Sequence, residues 1–148
     1  MCLPVNAIFV FINFKRKVVK TPTALQGKIS VVTGGSSGIG KAIVENLFIN
    51  GAIVVNADKT AGDAVPDKDI RSRNNNYFFH KTDTTIGEEV QQLLDSVTAI
   101  GSPQILVCNA GVGIHETLAE GDPEKWFQVI DTNLIGTLRL LRSFLPQL

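Results

Sequence analysis

The sequence has few cysteines, no excess charge of either sign and no long apolar run. Its 148 residues contain two cysteines, Cys2 and Cys108, which are too few for a disulfide framework, so we expect a reduced, cytoplasmic protein. Lysine plus arginine and aspartate plus glutamate both number 14, and the formal net charge is zero. This balance argues against a nucleic acid partner, because binding to a phosphate backbone requires many lysine and arginine contacts.

The longest apolar segment, residues 3–14, lies near the N-terminus and is followed by Lys15, Arg16 and Lys17. A membrane-spanning helix needs about 20 apolar residues, which this segment does not reach. A secretory signal carries its positive charges before the apolar stretch, whereas here they follow it. Weak membrane association stays open, without firm evidence for a membrane partner. We expect residues 1–25 to be a poorly ordered N-terminal extension.

From Lys28 onward, strand and helix patterns alternate. Short β-branched or apolar runs predict buried strands over 29–33, 52–57 and 104–108, and residues 77–82 predict another strand. Apolar residues at helical spacing predict three intervening or following helices, and the polar residues 59–76 predict a loop. In the last helix, from Pro123 to about Leu145, one side is formed by Trp126, Ile130, Asn133, Thr137 and Leu141. This alternation predicts an α/β fold with a Rossmann-type, doubly wound parallel sheet.

The segment TGGSSGIG, Thr33–Gly40, joins the first predicted strand to a helix. Glycines here permit a tight turn and a close approach of phosphate to the backbone, and the helix N-terminus favours an anion. A phosphate-loop motif that overlaps it and starts at Gly35 fails, because Ala42 stands where that motif requires serine or threonine. The segment therefore predicts a dinucleotide phosphate site, with a glycine turn that binds nothing as the alternative.

Asp58 closes the second predicted strand, about 20 residues beyond the glycine loop, where a carboxylate can accept the ribose hydroxyls of a dinucleotide. A carboxylate at this place favours NAD and repels the additional phosphate of NADP. The adjacent Lys59 leaves NADP open. The alternative is a solvated residue at a strand end.

Together these residues resemble the short-chain dehydrogenase/reductase family, in its classical branch. Thr33-Gly34-x-x-x-Gly38-Ile39-Gly40 is similar to the cofactor motif of that family. Cys108-Asn109-Ala110-Gly111 is similar to its N-N-A-G motif, with cysteine replacing the first asparagine. Asp83 resembles the aspartate that contacts adenine, and Asn133 falls where the family has the asparagine of its catalytic tetrad. The resemblance covers about residues 26–148.

The resemblance implies a catalytic role for Asn133, which in the family holds a water in a proton relay. Neither His80 nor His115 has a carboxylate or thiol at ligand spacing, so we expect no metal site. The implied cofactor-binding residues are Thr33, Gly34, Ser36, Ser37, Gly38, Ile39, Gly40, Asp58, Asp83, Asn109, Ala110 and Gly111.

The family's catalytic serine and its Tyr-x-x-x-Lys motif would lie beyond Leu148. Tyr77 and Lys81 have the Tyr-x-x-x-Lys spacing, but four residues along a strand span about 13 Å, too far for the lysine to lower the pKa of the tyrosine. We therefore expect residues 26–148 to be an incomplete NAD(P)-binding domain, truncated after the fourth strand and the helix that follows it.

The implied activity is hydride transfer between a nicotinamide cofactor, preferably NAD, and a carbonyl or secondary alcohol substrate. The alternative is an inactive nucleotide-binding module or a truncated gene product. Truncation would leave strand 104–108 as an apolar edge, which predicts a homo-oligomer unless the N-terminal apolar segment covers that edge. Relatives commonly pair through the helix that contains Asn133.

Overall fold

A computed structural model describes residues 9–12, 24–62, 75–117 and 119–148. Residues 1–25 are expected to be poorly ordered and residues 59–76 to form a loop. Most of both segments lies outside the described residues. The elements in chain order are β1 (Phe9–Ile12), β2 (Ile29–Thr33), α1 (Gly38–Ile49), β3 (Ile53–Asp58), β4 (Tyr77–Lys81), α2 (Gly87–Ile100), β5 (Ile105–Cys108), α3 (Pro123–Ile130), a π-helical turn (Asp131–Gly136), α4 (Thr137–Phe144) and a 3-10 turn (Leu145–Gln147).

These strands form a single sheet in the order β1-β5-β2-β3-β4. Strands β5, β2, β3 and β4 are parallel, with Val31 of β2 opposite Val55 of β3 and Leu106 of β5. Every residue of β2 and β5 is buried, which explains why their sequences show no alternation of apolar and polar residues. The predicted α/β fold with a Rossmann-type parallel sheet is confirmed.

Strand β1 covers the edge of β5. It runs antiparallel to β5, with Phe9 opposite Cys108 and Ile12 opposite Ile105. The alternative that the apolar N-terminal segment covers this edge is thus confirmed, and the expected unpaired edge is not found. The physical reason is that the backbone N–H and C=O groups of an edge strand need hydrogen-bond partners.

Helices cover both faces of the sheet. On one face, residues of α2 and α4 such as Leu93 and Phe144 pack on Val31, and all three are fully buried. On the other face, Val44 of α1 packs on Val32 of β2. Within the described part of the chain, no helix is both long and apolar enough to cross a membrane.

The segment from α3 to α4 buries one narrow face. The buried residues are Thr132, Gly136, Leu140 and Phe144, whereas Ile130 is 49% exposed. On the side listed from the sequence, Trp126, Asn133, Thr137 and Leu141 are half-buried, and Leu141 packs against the core. The π-helical turn changes the helical register within this segment.

Candidate functional site

A cleft of about 230 Å³ opens at the carboxyl ends of β2, β3 and β5, where ligands bind in doubly wound sheets. A neighbouring hollow of about 280 Å³ shares Lys59, Val112 and Thr132 with it. The cleft is lined by Gly34, Ser37, Gly38, Ile39, Ala57, Asp58, Lys59, Thr82, Thr84, Asn109, Ala110, Gly111, Val112 and Thr132.

The structure brings most of the predicted site residues to this cleft. The predicted residues on its wall are Gly34, Ser37, Gly38, Ile39, Asp58, Asn109, Ala110 and Gly111. Thr33, Ser36 and Gly40 are buried. Thr33 and Ser36 hydrogen-bond to residues of the wall. Asp83 and Asn133 are not on the wall, and each contacts it through one partner.

The glycine loop delivers the N-terminus of α1 to the cleft. The N-cap residue Ser37 has extended backbone and its side chain makes no capping hydrogen bond, and the first turn contains no acidic residue. The first N–H groups of a helix lack intrahelical acceptors and carry a partial positive charge. They are therefore available to an anion, and a Cβ added at Gly38 would meet no atom within 4 Å, so there is open space beside them.

Gly34 allows β2 and β5 to approach each other at the floor of the cleft. Its φ of +65° lies in the left-handed region, and a Cβ added there would lie 2.8 Å from the Cα of Ala110. Any side chain at Gly34 would therefore separate the two motifs that the sequence analysis singled out.

Four hydrogen bonds join the glycine loop motif to the Cys108–Gly111 motif. The Thr33 Oγ1 atom accepts hydrogen bonds from the backbone N–H groups of Asn109 at 3.1 Å and Ala110 at 3.2 Å. In return, Asn109 Nδ2 donates to the carbonyls of Thr33 at 3.1 Å and Gly34 at 3.0 Å. Asn109 thus bridges the backbone of β2 and the glycine loop.

At the far side of the cleft, Asp58 lies at the end of β3. Its Oδ2 atom accepts a hydrogen bond from the Ser36 N–H at 3.0 Å, and its Oδ1 atom accepts a long one of 3.5 Å from the Thr60 N–H. The carboxylate is therefore oriented by the glycine loop and lines the cleft. Its two oxygens can accept further donors from a ligand, because each ionised carboxylate oxygen has more than one lone pair.

Asp83 is bound to Lys59 across the mouth of the cleft. Lys59 Nζ lies 2.7 Å from Asp83 Oδ2, and Asp83 Oδ1 accepts hydrogen bonds from Thr85 N–H at 2.9 Å and Thr85 Oγ1 at 2.7 Å. Partial burial raises the pKa of Asp83, but the hydrogen bonds from Lys59 and Thr85 outweigh it, so the pKa lies below its ordinary value. Much of the charge of Lys59 is thereby balanced.

Asn133 fixes the loop that follows β5. Its Oδ1 atom accepts a hydrogen bond from Val112 N–H at 2.8 Å, and its Nδ2 atom donates to Val112 O at 2.9 Å. The backbone carbonyl of Asn133 accepts a hydrogen bond from Thr137 Oγ1 at 2.9 Å. The side chain thus positions backbone on the wall of the cleft.

The sequence analysis missed Thr82, Thr84 and Thr132, which line the cleft and are nearly fully buried. The first two flank Asp83, so the strand-end position was a signal that could have found them. Thr132 had no such signal, because its burial depends on the π-helical turn.

Four other residues considered from the sequence lie outside the cleft. Tyr77 is buried on the face of the sheet that α1 covers, and Lys81 is exposed at the other end of β4. They therefore form no catalytic pair. Burial raises the pKa of the Cys108 thiol to about 11, which agrees with an unreactive strand residue. His115 is exposed. Among the described residues, no group of three histidine, cysteine, aspartate or glutamate side chains could hold a metal ion.

Comparisons with known proteins agree with this geometry. An uncharacterized oxidoreductase of Staphylococcus saprophyticus is 36% identical over 128 residues, which are 84% of this chain and 54% of that protein. The 3-oxoacyl-(acyl-carrier-protein) reductase of Vibrio cholerae is 34% identical over 122 residues, 82% of this chain and 49% of that protein. The chain therefore spans about half the length of these curated relatives.

Among solved structures, L-sorbose reductase from Gluconobacter frateurii, complexed with NADPH and L-sorbose, superimposes with a TM-score of 0.75 at 30% identity. The match covers 86% of this chain and 49% of that one. The sequence model of the short chain dehydrogenase family matches residues 28–148, which include both the glycine loop and the segment around Asn133. The chain belongs to the short chain dehydrogenase family.

Proposed function

We propose that this chain is the dinucleotide-binding part of an NAD(P)-dependent oxidoreductase. The observation that carries the proposal is the placement of the α1 N-terminus and Asp58 at one cleft, because a dinucleotide needs an anion site and a ribose site within a single groove. In such an enzyme the nicotinamide supplies or accepts the hydride.

Each part of a dinucleotide has matching groups in the cleft or, for Asp83, beside it. The N–H groups at the start of α1, beside Gly38, suit the pyrophosphate. The Asp58 carboxylate suits the ribose hydroxyls. Asp83 lies between β4 and α2, and its carboxylate is a hydrogen-bond acceptor that suits the adenine amino group. Ala110 and Gly111 leave space beside the cofactor because they carry small side chains or none.

The preferred cofactor in this proposal is NAD. The Asp58 carboxylate would repel the 2′-phosphate of NADP, whereas Lys59, a cation on the cleft wall, is already paired with Asp83. NADP is the alternative, because the Lys59 side chain is 58% exposed and a long ammonium side chain can turn toward a phosphate.

For the whole protein we propose hydride transfer between the nicotinamide and a carbonyl or secondary alcohol of a small-molecule substrate. The Vibrio cholerae relative and the Gluconobacter frateurii neighbour support this class, because both are reductases. The described residues of this chain supply cofactor binding. Asn133 is proposed to hold the loop beside the cofactor through Val112 and, as the family resemblance implies, to hold a water in the proton relay.

We also propose that the protein is a homo-oligomer. Phe127, Ile130, Leu134 and Leu138 are between 49% and 62% exposed on the outer face of the α3–α4 segment. An apolar face of this kind typically marks an interaction surface.

Fluorescence titration with NADH, NADPH and ATP with magnesium tests the proposed cofactor. NADH should bind more tightly than NADPH, by about tenfold or more for one unfavourable charge contact near the protein surface. Replacing Asp58 by asparagine should reduce that preference, and Glu45→Gln, a charge removal on α1, serves as the control. Tighter binding of ATP with magnesium than of NADH would overturn the proposal.

A further inference from the structure

Beneath the glycine loop lies a cluster of buried polar side chains that the proposed function has not yet used. Asn56, in the middle of β3, has no exposed surface, and Tyr77 and Ser36 beside it are 7% and 6% exposed. Asn56 Nδ2 donates hydrogen bonds to Ser36 Oγ and to Tyr77 Oη, both at 3.1 Å.

This cluster costs folding free energy, so its presence requires a reason. The surrounding core is apolar, with Val44 and Val54 on either side, and a buried amide loses its contacts with water. The Asn56 Oδ1 atom is buried, and none of the described residues donates a hydrogen bond to it. A Cβ at Gly35 would collide with that same oxygen, so the amide also dictates a glycine in the loop above it. An apolar residue at position 56 would give a more stable core than asparagine does.

A chain of hydrogen bonds leads from Asn56 to the cleft. Ser36 Oγ, which accepts from Asn56, donates to the Thr60 carbonyl at 2.6 Å. The Ser36 N–H donates to Asp58 Oδ2 at 3.0 Å. Ser36 is thus held at three points, and one of them orients the carboxylate on the cleft wall.

We propose that Asn56, supported by Tyr77, is a positioning residue that makes the site selective for a ribose with a free 2′-hydroxyl. It acts through Ser36, whose N–H fixes the orientation of the Asp58 carboxylate toward the cleft. The inference rests on the proposed function, and it assigns part of the cofactor preference to side chains that touch no cofactor atom.

Two variants test it. Asn56→Ala removes both donated hydrogen bonds, and Tyr77→Phe removes only the hydroxyl that accepts one of them while keeping the ring in the core. Ser30→Ala is the matched control, because Ser30 is fully buried on β2 and its hydroxyl binds the Ile53 carbonyl away from the cleft. The measurements are dissociation constants for NADH and NADPH by fluorescence, with urea unfolding of each variant.

The ratio of NADPH to NADH dissociation constants should fall by about three- to tenfold in Asn56→Ala and by about twofold in Tyr77→Phe, as expected for the loosening of one hydrogen bond to a charged group. Ser30→Ala should lower stability without changing the ratio. If Asn56→Ala does not fold, Tyr77→Phe decides the question alone.

Two different results would overturn the inference, and they are distinguishable. If the unmodified chain binds NADH in preference to NADPH but neither Asn56→Ala nor Tyr77→Phe changes the ratio, the positioning role is wrong and the proposed function stands. If the unmodified chain binds neither dinucleotide, the proposed function fails and the inference fails with it.

Discussion

The side chain of Asn133 forms a pair of hydrogen bonds with the backbone of Val112, accepting from its N–H at 2.8 Å and donating to its carbonyl at 2.9 Å. This pairing imitates one rung of a β-ladder and connects the π-helical turn to the loop that follows β5. Because Val112 lines the cleft, a polar residue on a helix holds part of the cleft wall from outside it.

Replacing Asn133 by aspartate should free this loop. The carboxylate would face the Val112 carbonyl without a donor, so one hydrogen bond is lost and a repulsion replaces it. We expect a stability loss of about 1–2 kcal/mol and faster hydrogen exchange of the peptide containing Val112. Asn50→Asp, at the exposed end of α1, is the control. Unchanged exchange at Val112 would show that the pair does not hold the loop.

Asp83 should make stability depend on pH. Its folded-state pKa lies below the unfolded value, so its contribution is present above about pH 4 and is lost as the pH falls through the folded-state pKa. Because Lys59 is largely exposed, we expect Asp83→Asn to cost no more than about 1 kcal/mol at pH 7 and nearly nothing at pH 2.

Urea unfolding at the two pH values measures this difference. Lys59→Met removes the ion pair but leaves the hydrogen bonds from Thr85, so it should give a smaller loss at pH 7. An equal gap between the unmodified protein and Asp83→Asn at both pH values would contradict the assignment.

Cys108 should resist alkylation while the chain is folded. Its thiol is 2% exposed and burial raises its pKa to about 11, so little thiolate is present at pH 8. Peptide mass spectrometry after iodoacetamide treatment should show labelling at least about tenfold slower than in urea, following the lower thiolate fraction. Comparable rates in buffer and in urea would mean that β5 is not packed as described.

Leu134 should contribute to self-association. It is 54% exposed in the middle of the apolar face formed with Ile130 and Leu138, so Leu134→Arg places a charge where a partner would pack. Light scattering coupled to size-exclusion chromatography should show a smaller mass for this variant than for the unmodified chain. Gln147→Arg, on the exposed final turn, should leave the mass unchanged. A monomer already in the unmodified chain would exclude the proposed interface.

Features that depend on local sequence were predictable. The glycine loop and Asp58 follow buried strands, and parallel strands end at the same edge of a sheet, so their convergence on one cleft follows from the sequence pattern. The rejection of Tyr77 and Lys81 as a pair likewise needed only the rise of a strand.

Features that depend on contacts between distant residues were not predictable. The pairing of Asn133 with Val112 joins residues 21 apart, and the Asn56 bond to Ser36 joins residues 20 apart, from β3 to the glycine loop. The burial of Thr132 depends on a π-helical turn, for which the sequence offers no propensity signal. Each of these depends on packing between elements rather than on a motif.

The central claim is that one cleft holds a dinucleotide between the α1 N-terminus and Asp58, and backbone amide NMR during an NADH titration tests it most directly. The account predicts saturable shifts of the Gly38 and Ile39 amides together with those of Asp58 and Gly111, while amides on the exposed face of α2 stay in place. Saturable NADH binding that leaves the Gly38 and Asp58 amides unshifted would contradict it.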